Sequence, residues 1–293
     1  MHNFVVSAGR AGSTFLAKAL NLHPDVFCLV ESHHLPLHVR AFGTDRATPR
    51  AHLAVLMTAR FHTGQPIVEW NLSRLKIPDQ VWFDWTQDLM KAHDRMTVAE
   101  FQTEFEKFWL TQSGKSIFVD KTPCYGLALG EIKGALGDIR AVHLVRDALP
   151  SIKSMAGHPG FRLKVRAHAV SWTEVLCHRN FRALDDSTAL TDAEMVDMAR
   201  LWAARTGGPI REAQRIGLDL TVLRYEDMLA DPAKFFAHLA AGLGIEDKGG
   251  WSQSATQSLA PSKTPVSYDD QPKFAALRDL PEVREVREIC NYC

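Results

Sequence analysis

The stretch VVSAGRAGSTF, residues 5–15, decides the fold prediction for this chain. A pair of β-branched residues leads into a short loop with two glycines, one arginine and a Ser-Thr pair, and the residues LAKALNLHP then take on helical spacing. Strand, tight loop and helix together can bind phosphate, because a helix N-terminus presents unpaired N–H groups and a partial positive charge. We therefore expect an anion-binding loop in this stretch.

The loop departs from the ATP-binding P-loop pattern, Gly-x-x-x-x-Gly-Lys-Ser/Thr, at two positions. Ser7 stands in place of the first glycine and Ser13 in place of the lysine, while Arg10 supplies a cation inside the loop. A guanidinium can hold two oxygens of a phosphate or sulfate at once. The sequence therefore predicts a phosphate-binding loop without the usual lysine.

Composition sets broad limits on the function. The 293 residues are 46% hydrophobic and 23% charged with a formal net charge of zero, which argues against general affinity for nucleic acid or anionic membranes. No apolar run reaches transmembrane length, and strand-like sequence from Asn3 leaves no room for a cleavable signal peptide. The five cysteines are too scattered for a disulfide scaffold, and Cys290 and Cys293 form a Cys-x-x-Cys pair only in the tail. We expect a cytoplasmic, reduced protein without a metal site.

Apolar runs and helical patterns alternate along the chain. Runs that predict strands buried on both faces lie at 4–7, 26–30, 116–120, 139–145 and 219–225. Helical patterns lie between them at 14–22, 126–136, 148–156 and 191–216. The alternation predicts an α/β, P-loop-like three-layer fold, in which helices flank a central parallel sheet of about five strands.

Two regions depart from this alternation within what we expect to be a single domain, 1–293. Residues 47–112 have helical periodicity and four tryptophans, and we interpret them as a helical insertion in which the tryptophans are core rather than substrate-stacking residues. Residues 247–273 are rich in Gly, Ser, Thr and Pro, and a loop of that length is typically disordered or a lid over a site.

A second candidate anion site follows the strand at 139–145. Arg146 comes directly after the strand, and Ser154 lies two turns into the helix that follows. Between Arg140 and Arg182 there are eight lysines and arginines against two acids. Such a region suits a second phosphate, although a solvated helix face explains the charges of this stretch equally well.

Three motifs in this order resemble the sulfotransferases that use 3′-phosphoadenosine 5′-phosphosulfate. They are SAGRAGST at 7–14, VHLVRDALPSIKS at 142–154 and LRYEDMLADP at 223–232, and the resemblance spans 3–45 and 115–245. It implies that the first loop holds the 5′-phosphosulfate through Arg10, Ala11, Gly12, Ser13 and Thr14. It also implies that Arg146 and Ser154 hold the 3′-phosphate. This donor has no γ-phosphate, so the P-loop lysine is not needed, and Arg10 can hold the sulfuryl and bridging oxygens during the reaction.

Within that family, the chain is most similar to the protein-tyrosine sulfotransferase branch. That branch has arginine in the first loop, then His-Pro after the helix, here His23-Pro24, and then a catalytic glutamate. The matching glutamate is Glu31, which would accept the acceptor's proton as a general base. The alternatives are a structural salt-bridged Glu31, or His33 or His34 as the base, since phenol and steroid sulfotransferases use histidine. Of the two adjacent histidines, at most one can reach the site from an extended segment.

The resemblance extends to further positions. Lys121 in FVDKTP, 118–123, matches a lysine that stabilises charge on the bridging oxygen as the sulfuryl group leaves. Tyr225 matches a tyrosine on the adenine side of the nucleotide.

The branch also uses a serine and a lysine fifteen residues apart in its C-terminal loop. Ser258 and Lys273 have this spacing, but the loop sequence diverges, and Ser262 with Lys263 is a competing assignment.

The expected function is therefore sulfuryl transfer from this nucleotide to a hydroxyl or amine acceptor by metal-free in-line displacement. A carbohydrate, lipid, phenol or peptide could serve as the acceptor, which we expect to enter between 33–45 and the helical insertion. A P-loop kinase acting on a small molecule and a non-catalytic nucleotide-binding module are the alternatives. A homodimer is compatible with the sequence.

Overall fold

The computed structural model describes residues 1–60, 64–170, 184–259 and 272–292, with Pro272 and Lys273 described by their backbone alone. In these residues the chain forms a five-stranded sheet. The strands are β1 (His2–Ser7), β2 (Val26–Val30), β3 (Ile117–Lys121), β4 (Ile139–Val145) and β5 (Leu220–Arg224). Each lies where an apolar run predicts a strand, so the predicted α/β fold is confirmed.

The strand order is β2-β3-β1-β4-β5, and every neighbouring pair is parallel. From the central β1, the chain runs first to one edge of the sheet and later to the other. The carboxyl ends of all five strands therefore meet at one edge, with a change of direction beside β1. Open α/β sheets bind their ligands at such a switch point.

Helices surround the sheet on both faces. In chain order they are α1 (Ser13–Asn21), α2 (Leu35–Phe42), α3 (Pro49–Thr58), α4 (Ile67–Arg74), α5 (Asp79–Ala92), α6 (Val98–Ser113), α7 (Leu129–Leu136), α8 (Ala148–Ala156), α9 (Pro159–Arg166), α10 (Asp192–Arg215), α11 (Tyr225–Ala230), α12 (Pro232–Leu243), α13 (Trp251–Gln257), α14 (Pro272–Arg278) and α15 (Pro281–Ile289). A 3₁₀ helix, Pro123–Ala128, fills the first part of the predicted helix at 126–136.

Burial of both sheet faces explains the unbroken apolar strands. Val5 packs with Leu16 and Phe236 on the α1 and α12 side, whereas its neighbours Phe4 and Val6 pack with Tyr125 on the other side. Because successive strand residues face opposite sides, such a strand needs helices over both faces.

The predicted helical insertion is confirmed, since α3 to α6 lie between β2 and β3 in sequence. Its core packs on the sheet edge through Phe27 and Phe118, with Trp109 stacked on Phe27 at 6.0 Å. Trp109 is 1% exposed and belongs to the core, as expected, while Trp82 and Trp85 are half-buried against Phe108.

The interface between α2 and the insertion is filled by rings. His34 lies 4.7 Å from Phe105 and His38 lies 4.9 Å from Phe101, measured between ring centroids, and both histidines are fully buried. These contacts pack the start and the middle of α2 directly against α6. The expected acceptor route between 33–45 and the insertion stays a prediction.

Part of the predicted C-terminal loop is helical. The chain forms α13 at Trp251–Gln257 because Trp251 is buried against α1 and its indole N–H donates to the carbonyl of Ala19 at 2.7 Å. Residues 260–271, which include Ser262 and Lys263, lie outside the described residues.

Candidate active site

All five strands end at one edge of the sheet, called the cleft below, and each end carries a side chain that the sequence singled out. Arg10 follows β1, Glu31 follows β2, Lys121 ends β3, Arg146 follows β4 and Tyr225 follows β5. Residues far apart in the chain meet here because the strands are parallel and aligned. The cleft combines cations, one carboxylate and an aromatic ring.

The loop after β1 has a backbone that only glycine accepts at two positions. Gly9 and Gly12 both have φ of 90°, and Arg10 between them has φ of 59°. A Cβ on Gly9 would lie 2.5 Å from the ring of Phe161, and one on Gly12 would lie 2.7 Å from the ring of Tyr225. The glycines thus let two aromatic rings pack directly against the loop that leads into α1.

Arg10, Arg146 and Ser154 form a polar group beside this loop. The Nε of Arg10 donates to Ser154 Oγ at 3.1 Å, and Nη1 of Arg146 donates to the carbonyl of Arg10 at 3.4 Å. The Arg146 guanidinium lies 4.5 Å from the Tyr225 ring centroid. Its Nε is buried and has no hydrogen-bond partner in the described structure. A buried N–H without a partner is costly, so this atom fits an anion that would accept its hydrogen bond.

Two further cations lie near the loop, and no sequence motif identified them. Arg205 of α10 is 4% exposed and donates to the carbonyl of Ala8 at 2.7 Å and of Val170 at 2.6 Å. Lys164 of α9 lies 5.0 Å from the Phe161 ring centroid. Burial, together with the charge of Arg205, lowers the pKa of Lys164 to about 7. The sequence alone could not assign these two residues to the site, because exposed helix faces commonly carry lysine and arginine.

Glu31 is held from four directions. Its Oε1 accepts from Lys121 Nζ at 3.1 Å, and its Oε2 lies 3.2 Å from Nε2 of His33. Its backbone N–H donates to the carbonyl of Lys121 at 2.8 Å, and its carbonyl accepts from Asn71 Nδ2 at 3.2 Å. The Glu31 side chain is 31% exposed, whereas that of Lys121 is fully buried. The carboxylate is therefore both fixed in place and open to the cleft.

The negative charge of Glu31 and the positive charges around it stabilise one another. Burial acts to raise the pKa of Glu31, but the hydrogen bond from His33 and the charge of Lys121 outweigh it and hold the pKa well below the usual range. Burial acts to lower the pKa of His33, yet Cys124 and Glu31 raise it to about 10. Cys124 Sγ lies 3.2 Å from Nδ1 of His33. At neutral pH the carboxylate is thus ionised and contacts two cations.

A buried polar network supports the strand ends. Asp120 accepts from Ser32 Oγ at 2.5 Å and from Thr122 Oγ1 at 2.6 Å, and the Tyr125 hydroxyl lies 2.5 Å from Ser32 Oγ. Burial raises the pKa of Asp120 to about 6, against the lowering effect of its two hydrogen bonds. These contacts join the segment after β2 to the end of β3, which fixes Glu31 relative to its neighbouring lysine.

The two adjacent histidines separate, as expected. His33 contacts Glu31, whereas His34 is fully buried with its Nδ1 3.3 Å from Nδ1 of His38. Burial and neighbouring histidines lower the pKa of His34 well below its ordinary value. Of the two, His33 alone is placed beside the cleft.

The remaining predicted site residues lie at the start of α1 and near the C-terminal helices. Ala11 and Ser13 are buried and Thr14 is exposed at the start of α1. Ser258 directly follows α13 as its C-cap and donates to the carbonyl of Ala255 in that helix at 2.7 Å. Lys273 belongs to α14, but its side chain lies outside the described structure.

The described residues contain neither a cluster of metal ligands nor a membrane-spanning helix. They contain no group of three or more His, Cys, Asp and Glu side chains arranged to hold a metal ion. Of the helices described, none is both long enough and apolar enough to cross a membrane.

A model of a protein family described as "Sulfotransferase family" matches residues 3–249. The chain belongs to the sulfotransferase family. The family prediction is thereby confirmed, and with it the assignment of the chain to an enzyme class that transfers sulfuryl groups from a donor nucleotide to an acceptor. The finer similarity to the tyrosine branch stays a prediction.

Solved sulfotransferases share the fold at low sequence identity. The sulfotransferase domain of the Synechococcus PCC 7002 olefin synthase is 18% identical with a TM-score of 0.59, covering 100% of this chain and 94% of that one. The sulfotransferase domain of the curacin biosynthetic pathway is 17% identical with a TM-score of 0.55, covering 100% and 99%. Sulfotransferase STF9 from Mycobacterium avium is 14% identical with a TM-score of 0.55, covering 98% and 76%. No curated protein matches the sequence.

Proposed function

We propose that this sulfotransferase transfers a sulfuryl group from 3′-phosphoadenosine 5′-phosphosulfate to a hydroxyl or amine acceptor, with Glu31 as general base. The observation that carries the proposal is the meeting of an anion-binding loop, the Arg146 group and the Glu31–Lys121 pair at one sheet edge. We also propose that residues 1–293 form one domain.

The two candidate anion sites match the two ends of the donor. The loop with Gly9, Arg10 and Gly12 opens onto the start of α1, where backbone N–H groups favour the 5′-phosphosulfate. Arg146 and Ser154 would bind the 3′-phosphate, and the unpartnered Arg146 Nε supports that assignment. Tyr225 stands between the two sites, packed on Gly12 and under Arg146, where the adenosine could lie against it.

Arg10 has a contact that the donor would change. In the structure its Nε donates to Ser154, on the side of the 3′-phosphate. To hold the sulfuryl and bridging oxygens, the Arg10 side chain would exchange this contact for the donor. Its exposed position allows the exchange, because a long exposed side chain changes rotamer at little cost.

Glu31 would accept the proton of the acceptor hydroxyl or amine as the nucleophile attacks sulfur. In the structure, contacts with two cations make it a weak base. An anionic donor beside Lys121 would draw on the same cation, so the basicity of Glu31 would rise once the donor is bound. Lys121 would then stabilise the negative charge that develops on the bridging oxygen, where a fixed cation favours the transition state over the ground state.

A thermal-shift panel of adenosine nucleotides tests the donor assignment. We expect 3′-phosphoadenosine 5′-phosphate to stabilise the protein by about 2.7 kcal/mol at a concentration of 100 times its Kd. At the same concentration, adenosine 5′-phosphate and ATP should stabilise it much less. A response to ATP equal to the response to the 3′-phosphorylated nucleotide would contradict the proposal and favour the kinase alternative.

Two variants and a control locate the 3′-phosphate in the same assay. R146A and S154A each remove a hydrogen bond to a charged group, worth about 1.5–3 kcal/mol, so affinity for the 3′-phosphorylated nucleotide should fall by roughly ten- to 150-fold. R215A removes the same charge as R146A from the far end of α10, where Arg215 is exposed and pairs with Glu212. Affinity unchanged in R146A and S154A would show that the 3′-phosphate binds elsewhere.

A further inference from the structure

Cys124 lies against the charged group of the site, although the proposed reaction makes no use of it. It is the second residue of the 3₁₀ helix after β3, and its Sγ is 3.2 Å from Nδ1 of His33. The opposite ring nitrogen of His33 is 3.2 Å from Oε2 of Glu31. Thiol, imidazole and carboxylate therefore lie in a row, and Cys124 as a whole is half-buried.

This row has the chemistry that activates a cysteine. An imidazole at hydrogen-bond distance takes the thiol proton, and a carboxylate on the other ring nitrogen stabilises the resulting imidazolium. Burial acts to raise the pKa of Cys124, but the charge and hydrogen bond of His33 outweigh it and lower the pKa. The chain offers its own contrast, because burial raises the pKa of Cys28 to about 12 and that of Cys290 to about 11.

We propose that Cys124 is a site of covalent modification by thiol-directed electrophiles, activated by His33 and Glu31. The reactive species is the Cys124 thiolate paired with the His33 imidazolium. Its reactivity follows from these contacts and holds whether or not Glu31 is a general base. An adduct on Sγ would lie against His33, beside the carboxylate of the cleft.

The chemistry balances with two classes of reagent. With an alkyl iodide, the thiolate sulfur displaces iodide, so an S–C bond forms, a C–I bond breaks and the proton stays on His33. With a peroxide, the sulfur attacks one oxygen, so an S–O bond forms, the O–O bond breaks and the other oxygen leaves as hydroxide. In the second case the sulfur is oxidised to a sulfenic acid and the peroxide is reduced.

Alkylation by iodoacetamide, followed for each cysteine by mass spectrometry between pH 6 and pH 9, tests the proposal in the intact protein. An ordinary thiol of pKa about 8.5 should react roughly 200-fold faster at pH 9 than at pH 6, in proportion to its thiolate fraction. For Cys124 we expect a clearly smaller change over that range, because His33 lowers the pKa of its thiol. The same protein unfolded in urea should show the ordinary profile at Cys124, which provides the reference within one molecule.

Two substitutions test whether the contacts with His33 and Glu31 cause the pH profile of Cys124 alkylation. H33N should move the Cys124 profile to alkaline pH, at least as far as the urea reference, because burial then raises the pKa of the thiol without opposition from His33. E31Q should move its profile toward alkaline pH by removing the negative partner of the imidazolium, so the result does not depend on one variant alone. Cys28 and Cys290, read from the same spectra, should stay unreactive in the folded protein because both are buried. A Cys124 profile in the folded wild-type protein that matches the urea reference would overturn the proposal.

Discussion

Glu31 has an unusual backbone for a residue of its type. Its φ is 60° and that of His33 is 56°, a left-handed region that non-glycine residues occupy at a cost of about 1–3 kcal/mol. The surrounding contacts compensate for this cost, since Lys121 accepts the Glu31 N–H and Asn71 donates to its carbonyl. The strain brings the Glu31 carboxylate and the His33 ring onto the same side of an irregular segment. Such strain is typical of a functional site.

Replacement of Glu31 by glutamine tests the general base. E31Q keeps the shape and hydrogen bonding of the side chain but removes the proton acceptor, so turnover at saturating donor should fall by about 10²–10⁴-fold. Nucleotide affinity should stay within a few-fold of the wild-type value and is measured separately. A retained turnover above about a tenth of wild type would exclude Glu31 as base.

The pH profile of activity distinguishes a His33 that lowers the pKa of Glu31 from a His33 that is itself the general base. His33 holds the pKa of Glu31 below its usual range, so H33N should raise that pKa and move the acidic limb of kcat/KM to higher pH. The enzyme should stay active on the alkaline side of the limb. If His33 were the base, H33N would instead lose activity at every pH while E31Q stayed largely active.

The strand–loop–helix element formed by β1, its loop and α1 is shaped by what packs on it. Phe161 from α9 and Tyr225 from α11 press on the two glycines of the loop, so the loop depends on elements that follow it by more than a hundred residues. The helix start itself has no side-chain cap, and Gly12 takes the capping position in the left-handed region. This leaves the first N–H groups of α1 available to an anion.

Substitution of Gly12 measures this dependence. G12A forces an alanine into φ of 90° and places its Cβ 2.7 Å from Tyr225, so we expect a loss of about 1–3 kcal/mol in the free energy of unfolding. Nucleotide binding should weaken as well, because the ring and loop must separate. G134A provides the matched control in α7, where a Cβ meets nothing within 4 Å and alanine favours the helix by about 1 kcal/mol. Equal denaturant midpoints for G12A and wild type would contradict this account.

Three buried histidines join the helical insertion to the rest of the molecule. His38 stacks on both Phe101 and His52, which also stack on each other, and its Nε2 lies 3.0 Å from the carbonyl of His52. The Nε2 of His52 lies 3.0 Å from the carbonyl of Met96. Burial lowers the pKa of His38 to about 4 and also lowers those of His34 and His52. The fold therefore keeps these rings neutral.

Stability should consequently fall in weak acid. A histidine with a lowered pKa in the folded state binds its proton mainly in the unfolded state between pH 6.5 and the folded value, so its contribution is complete above pH 6.5 and is lost as the pH falls toward about 4. Urea unfolding between pH 7 and pH 5 measures the slope. H34F keeps a ring against Phe101 and Phe105 and should reduce the slope by up to about 1.4 kcal/mol per pH unit near pH 5, and by less toward pH 7.

The control for this prediction is H238N, which removes an exposed histidine from α12 and should leave the slope unchanged. Asp120 acts in the opposite direction, because its raised pKa lets the folded state bind a proton near pH 6. Its effect is the same in wild type and variant, so it cancels in the difference. A slope in H34F equal to that of wild type would show that His34 does not titrate on unfolding.

The sequence by itself determined the sheet, the loop and the family. Strands buried on both faces are continuous apolar runs, and the loop at 7–14 combines glycine, arginine and hydroxyl residues in a short local pattern. These features depend on neighbours in the chain, so they can be seen without coordinates. For the same reason Arg146 and Ser154, two turns apart on one strand–helix connection, could be named as a pair.

Only the tertiary structure decided which side chains meet. The row of Cys124, His33 and Glu31 joins two strand ends some ninety residues apart, and Arg205 reaches the first loop from the middle of a long helix. The packed histidines His34 and His38 depend on α2 and α6 lying face to face. Such contacts are set by the strand order and by the packing of distant helices. The spacing of residues in the sequence does not reveal these contacts. In a parallel sheet, the register between strands decides which residues meet, and their separation along the chain does not.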